Sequence, residues 1–263
     1  MDEATRRAYL EAMGVTMWVP RGSPDVAPGG DAATDSLASG APVSDPSSPA
    51  ASAAPPSPAP EHPEAGTTGD PAAATGDVAS MDAETLRQTI LGCTACGLCE
   101  TRTRAVPGVG SMKADLLVIG EAPGQEEDRR GEPFVGRAGQ LLDRMLAAIG
   151  LDRQTVYFTN VLKCRPPNNR DPKADEVQAC AAYLRRQIEL IGPKVILSVG
   201  RISAQSLLET GQTIGRLRGQ WHRLGPNDTP LWVTYHPAYL LRSPGQKRKS
   251  WDDLKAVRAL LAD

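Results

Sequence analysis

The chain has 263 residues, 29 Lys+Arg against 31 Asp+Glu for a formal net charge of −2, and 40% hydrophobic residues. No window is apolar enough to span a bilayer, and the acidic start Met1-Asp2-Glu3 lacks the basic region of a secretory signal, so a cytoplasmic protein of one sizeable core is expected. In that compartment five cysteines serve as reduced thiols or metal ligands rather than as disulfides.

The small net charge conceals an asymmetry. Residues 1–92 carry 4 Lys+Arg and 13 Asp+Glu, a net of −9, whereas residues 93–263 carry 25 and 18, a net of +7. A basic domain behind an acidic tail suits a polyanionic partner.

In chain order, residues 1–21 place Tyr9, Leu10, Met13 and Met17 at helical spacing beside Trp18, which predicts a short N-terminal helical segment and a docking peptide for a protein partner. Residues 22–80 are almost wholly Pro, Ala, Ser, Gly, Thr and Asp, too poor in apolar surface to offset the entropy of ordering, and predict a disordered linker. The folded domain is expected over residues 81–263. Helical patterns fall at Asp82–Leu91, Ala138–Ile149, Lys173–Ile191, Arg201–Leu208 and Trp251–Leu261; β-branched apolar runs fall at Asp115–Ile119, Val156–Val161, Lys194–Val199 and Leu231–Tyr235. Strands separated by helices imply right-handed crossovers. The expected fold is α/β: three α/β/α layers around a central four-stranded, mainly parallel sheet.

In open parallel sheets, ligands bind beyond the carboxyl ends of the strands. There the sequence places Glu121 in Gly120-Glu-Ala-Pro-Gly-Gln-Glu-Glu-Asp128, Asn160, and His236 followed by Pro237. A Pro-Gly bend bares backbone N–H groups for close approach of a planar or anionic ligand, and Glu121 at the strand tip is suited to positioning a water. Phe134, in the Gly-rich "GEPFVGRAG", is a stacking platform for a base. The Asn160 amide matches the hydrogen-bonding edge of a pyrimidine, and His236 can stabilise a developing oxyanion. Gly108-Val-Gly110 precedes its strand rather than following it, so a dinucleotide loop fails on context.

Cys93 and Cys96 form one closely spaced pair, with Cys99 three positions on; Cys164 and Cys180 form a second, wider pair. Two such pairs can join an N-terminal segment to the core through a tetrathiolate site, and spacing alone leaves zinc and an iron–sulfur cluster both open.

Together "GEAPGQEEDRRGEPFVGRAGQLLD", "NVLKCRPPNNRDP" and "HPAYLLR" resemble the motifs of the family 4 uracil-DNA glycosylases, over about Cys93 to Leu261. The resemblance implies a [4Fe-4S] cluster held by Cys93, Cys96, Cys164 and Cys180, with Cys99 a free thiol. It implies catalytic roles for Glu121, Glu127 and His236, and a uracil pocket formed by Ala122, Phe134 and Asn160. Leu240 or Leu241, with Arg242, Lys247 and Arg248, is then expected to fill the vacated base stack and hold phosphates. The implied partner is uracil-containing DNA, single- or double-stranded, and the implied state a monomer. A covalently trapping relative carries a histidine in a basic loop after the third motif; "SPGQKRKSW" has none, so ordinary turnover is expected.

Overall fold

The computed structural model describes residues 78–262, so the expectations for the N-terminal helical segment and for nearly all of the linker lie outside the described residues. Folded structure begins slightly before Met81. A 3-10 turn at Val78–Ser80 buries Val78 against Leu86, Ile90, Ala105 and Tyr183. Helix α1 (Ala83–Gly92) is capped by Asp82, whose side chain accepts a 2.8 Å hydrogen bond from the Thr85 N–H.

After the short α2 (Leu98–Thr101) come β1 (Val109–Gly110), β2 (Leu116–Gly120), α3 (Gln125–Arg130), α4 (Arg137–Ala147) and β3 (Val156–Asn160). The second half is α5 (Ala174–Ile191), β4 (Val195–Val199), α6 (Arg201–Leu207), α7 (Ile214–Leu217), β5 (Trp221–Leu224), β6 (Thr229–Thr234), α8 (Pro237–Arg242) and α9 (Lys247–Leu261).

The sheet order is β1-β3-β2-β4-β6-β5. The four strands legible in the sequence are its central, mutually parallel members, but the sheet has six strands, not four, because β1 and β5 add antiparallel edges. Their signal is weak for physical reasons. β1 is two residues long, and its Gly110 is needed because a Cβ there would collide with the backbone of Val156 and Tyr157.

Strands β2, β3 and β4 are buried at every position, as expected of a parallel sheet covered on both faces. One face packs Leu116, Val118, Phe158 and Leu197 against α4 and α9; the other packs Leu117, Ile119, Ile196 and Val233 against α5 and its neighbours. The α4 stripe of Leu141, Leu142, Met145 and Leu146 is buried as its spacing requires, and Gly150 follows in the left-handed region at φ 83°.

Candidate active site

The carboxyl ends of β2, β3 and β6 converge. Gly120 pairs with Asn160 in the β2–β3 register, and the chain beyond both strands stays tied together by Val161 N–H to Gly120 O (2.9 Å) and Leu162 N–H to Glu121 O (3.0 Å). Asn160 is buried, with its amide over Gly120. A Cβ at Gly120 would lie 2.6 Å from Phe134 Cζ and closer still to Asn160 Oδ1. The bare backbone of Gly120 thus lets the Phe134 ring and the Asn160 amide both pack against its Cα.

Phe134 adopts φ 55°, a conformation costly for a bulky side chain, so its neighbours must over-determine it. They do. Arg153 donates to the Phe134 carbonyl and, at 3.3 Å, to that of Pro133, while its Nε binds Asp143 at 2.8 Å. Glu127 Oε1 accepts from the Val135 and Gly136 N–H groups at 3.0 and 2.9 Å. Gly139 in α4 completes the fit, since a Cβ there would overlap the Phe134 carbonyl. Glu127, expected among the catalytic groups, is therefore a clamp on the aromatic loop: its Oε1 is committed to backbone donors at the start of α4. Nothing in the sequence marked Arg153 or Gly139, because their partners are backbone carbonyls remote in the chain.

The Glu121 carboxylate is left with no hydrogen bond or ion pair among the described residues. Burial, and secondarily Asp171, push its carboxyl up to about 6, opposed by Arg201; Asp171 and Arg201 themselves pair at 2.6 Å. The group is thus a stronger base than an ordinary carboxylate yet still ionised near neutral pH.

His236 caps α8. Its Nδ1 accepts a 3.1 Å hydrogen bond from the Ala238 N–H, which in the neutral ring leaves the proton on Nε2. Burial, with the Arg242 charge adding to it and Glu127 opposing, pulls the imidazole down to about 4, so it stays neutral in ordinary buffers. The ring sits 6.3 Å from that of Phe134, and Gly200, at φ 104°, gives it room, a Cβ there lying 3.1 Å from His236 Cβ. Gly200 N–H to Thr234 O (2.9 Å) ties β4 to the end of β6.

Leu240 is fully buried in the core beside Phe134, so it cannot enter a base stack; Leu241 next to it is exposed. The choice between two adjacent leucines depended on helical phase, which the sequence did not fix. Arg242 and Arg248 are exposed, and Lys247 with Arg248 forms the first turn of α9 rather than a loop.

Behind the pocket lies a second centre. Cys93, Cys96, Cys99, Cys164 and Cys180 line one cavity, all free thiols, together with Arg102, Lys163 and Tyr183. Among the described residues no three of these groups converge on a single-ion site. Arg102 Nη1 lies 2.9 Å from Cys164 Sγ. Cys99, expected apart from the others, faces the same cavity. Ala122 packs against the buried cluster of Leu98, Leu162, Cys164 and Cys180, so the cysteine cavity backs onto the pocket loop. Between the two stands Lys163, buried, its Nζ donating to Asn160 O (2.7 Å), Thr159 Oγ1 (2.8 Å) and Gln187 Oε1 (2.7 Å). Burial lowers its ammonium to about 7, opposed by Cys180 and Cys164.

At one end of a mainly parallel sheet the fold thus gathers an aromatic ring, an amide, a neutral imidazole donor and a carboxylate without a side-chain partner, the end at which open α/β sheets bind ligands. Residues 107–260 match the model of the Uracil DNA glycosylase superfamily, and the chain belongs to that superfamily, in its type-4 branch. The type-4 uracil-DNA glycosylase of Archaeoglobus fulgidus is 46% identical over 177 residues, covering 65% of this chain and 89% of that protein. That of Thermotoga maritima is 44% identical over 185 residues, 68% and 94% of the two chains. A type-5 uracil-DNA glycosylase of Thermus thermophilus is more distant, at 32% over 163 residues, 49% and 73% of the two chains.

Proposed function

We propose that the protein excises uracil from DNA by hydrolysing the N-glycosidic bond, leaving an abasic site as the first step of base excision repair. The observation that carries this reading is the convergence of the Phe134 ring and the Asn160 amide on the bare backbone of Gly120, with the His236 ring 6.3 Å from that of Phe134.

In this reading uracil leaves the stack, lies on Phe134 and pairs its polar edge with Asn160, and thymine is rejected because its methyl group has no room. The C1′–N1 bond breaks heterolytically, its electron pair passing to the base. The Nε2–H of His236 donates to the oxygen on which that charge accumulates, and a neutral donor suits the task because it need not be deprotonated first. Glu121 holds the water that adds to C1′ and takes its proton, which the uracil anion finally receives. Arg242, Lys247, Arg248 and the exposed Leu241 hold the backbone and support the gap in the stack, on single- or double-stranded DNA.

The cysteine cavity fits a thiolate-held iron–sulfur centre. Its donors are unpaired thiols on two chain segments, and the cations Arg102 and Lys163 beside them offset the charge of such a centre. Cys93, Cys96, Cys164 and Cys180 are the ligands assigned to a [4Fe-4S] cluster, on the type-4 resemblance. When bound, the cluster supplies a cross-link, since hydrolysis moves no electron. No described helix is long and apolar enough to cross a membrane; a monomer working in the cytoplasm, with residues 1–21 available to a protein partner, completes the proposal.

The test is direct: incubation with a uracil-containing oligonucleotide should release free uracil and leave alkali-labile abasic sites, in the presence of a metal chelator and without nucleotide. Intact uracil-DNA under conditions where a control glycosylase cuts it would refute the reading.

A further inference from the structure

Beside the cysteine cavity runs an open groove of about 480 Å³ whose lining includes Arg87, Arg102, Arg104 and Arg130 and no carboxylate. Arg87 and Arg104 are exposed, and their side chains make no hydrogen bond or ion pair among the described residues. Arg130 reaches Glu126 only at 3.9 Å, both side chains being about half exposed, and Arg102 spans from the Leu91 carbonyl to Cys164. Four guanidinium groups held round one hollow repel one another unless an anion occupies it.

The groove lies at the same end of the sheet as the pocket. Val106 N–H binds Lys163 O at 2.7 Å, Thr159 Oγ1 binds Pro107 O at 2.9 Å, and β1 pairs antiparallel with β3. The segment therefore retraces β3 in reverse, leaving Arg102 and Arg104 beyond its carboxyl end. Helix α3 spans the remaining distance. Its first turn carries Glu127 at the pocket, and its last residue, Arg130, lines the groove, three residues and about 4.5 Å further along the helix. Asp128 of α3 fixes the arginine segment by accepting from the Thr103 and Arg104 N–H groups at 2.9 and 3.4 Å. The basic surface after β6 stands on the other side of the pocket, three strand spacings from β3, or about 14 Å.

We propose that this groove is a second phosphate-binding surface, holding the backbone of the DNA strand that flanks the excised nucleotide. The inference rests on reading the chain as a uracil-DNA glycosylase. A strand running from the β6 surface to the arginine groove passes the pocket mouth, so a base is presented while the backbone is gripped on both sides. Arginine rather than lysine lines it, and the planar fork binds phosphate oxygens in pairs. The groove offers no aromatic anchor of the kind protein interfaces are built on.

The test uses the full chain and a duplex carrying 2′-fluoro-deoxyuridine, which resists excision, with affinity measured by fluorescence anisotropy across a salt series. Each phosphate contact contributes about −0.9 to the slope of log K against log salt. Arg87→Ala/Arg104→Ala should flatten that slope by about 2 and weaken binding roughly tenfold at low salt, without lowering the melting temperature. Lys113→Ala/Lys194→Ala removes equal charge at the amino ends of the strands and should leave the slope unchanged. If the parent excises uracil but the groove variant keeps its affinity and slope, the groove proposal falls alone; a parent that neither binds nor excises uracil-DNA refutes the underlying reading instead. If a peptide of residues 61–77, which has four acidic residues and no Lys or Arg, binds the groove while the substitutions leave DNA affinity untouched, the site belongs to an acidic polypeptide and the proposal is wrong.

Discussion

Gly120→Ala tests the pocket with one methyl group. Gly120 does not sit at positive φ, so alanine carries no backbone penalty, and only the space beside the Cα matters. That space is bounded by Phe134 Cζ at 2.6 Å and by Asn160 Oδ1, whereas ordinary contact begins near 3.4 Å, so the ring must retreat by about 0.8 Å (3.4 − 2.6). The amide must move as well, and Lys163 anchors the Asn160 carbonyl at 2.7 Å, so the shift falls on its side chain. Misplacing a base-reading group by about 1 Å costs roughly a hundredfold. Crowding of the stacking platform adds about 1 kcal/mol, close to another tenfold. The expected result is single-turnover excision slower by about 10²–10³-fold, with DNA affinity nearly unchanged because phosphates dominate it. Unimpaired excision would refute the assignment of Phe134 and Asn160 to the base. A fall in melting temperature matching the loss of rate would instead mark Gly120 as a packing glycine.

Four further outcomes are expected. The acid limb of kcat/KM should follow Glu121: its raised pKa means that the working carboxylate is lost as pH falls through about 6, and Glu121→Gln should abolish that limb along with most activity. Leu241→Ala should slow excision from duplex more than from single strands, whereas Leu240→Ala should cost about 2–5 kcal/mol of stability, read in a denaturant titration. Lys163→Met removes the ammonium that binds three buried oxygens, and should lower the melting temperature by about 10 °C, with kcat reduced more than KM is raised. With the cluster proposed above the protein should be brown, and Cys164→Ala should bleach and destabilise it, whereas a colourless, unstable Cys99→Ala variant would overturn the ligand assignment.

Much of this was legible in the sequence because it depends on periodicity and punctuation. Four apolar runs alternating with helical stripes specify the parallel core, and unusual residues at strand ends mark the pocket: Glu121, Asn160 and His236 stand at one end of the sheet. What escaped depends on geometry between distant segments. The role of Glu127 turned on which backbone N–H groups came within 3 Å of it, and an acidic loop residue reads equally well as catalyst or clamp. Leu240 and Leu241 differ only in the face of α8 they occupy. The arginine groove joins residues from α1, the segment after α2 and the end of α3, a grouping that no window of sequence contains.

The stretch Thr159–Cys164 shows how the proposed cluster, though it has no step in the reaction, would bear on the pocket. Within six residues it supplies the amide at the pocket, a buried lysine and a thiol of the cysteine cavity. Lys163 has only neutral oxygens as hydrogen-bond partners, and the groups that favour its charge are Cys164 and Cys180. A buried ammonium without nearby negative charge is costly. Thiolates held at that cavity offset the cost, and the same ammonium then fixes the carbonyl of Asn160. Ala122 adds a packing route from the cluster containing Cys164 and Cys180 to the loop that carries Glu121. In the proposed reading, a centre that only cross-links the fold would in this way set the precision of the pocket, since Asn160 and the loop carrying Glu121 both rest on the walls of the cysteine cavity.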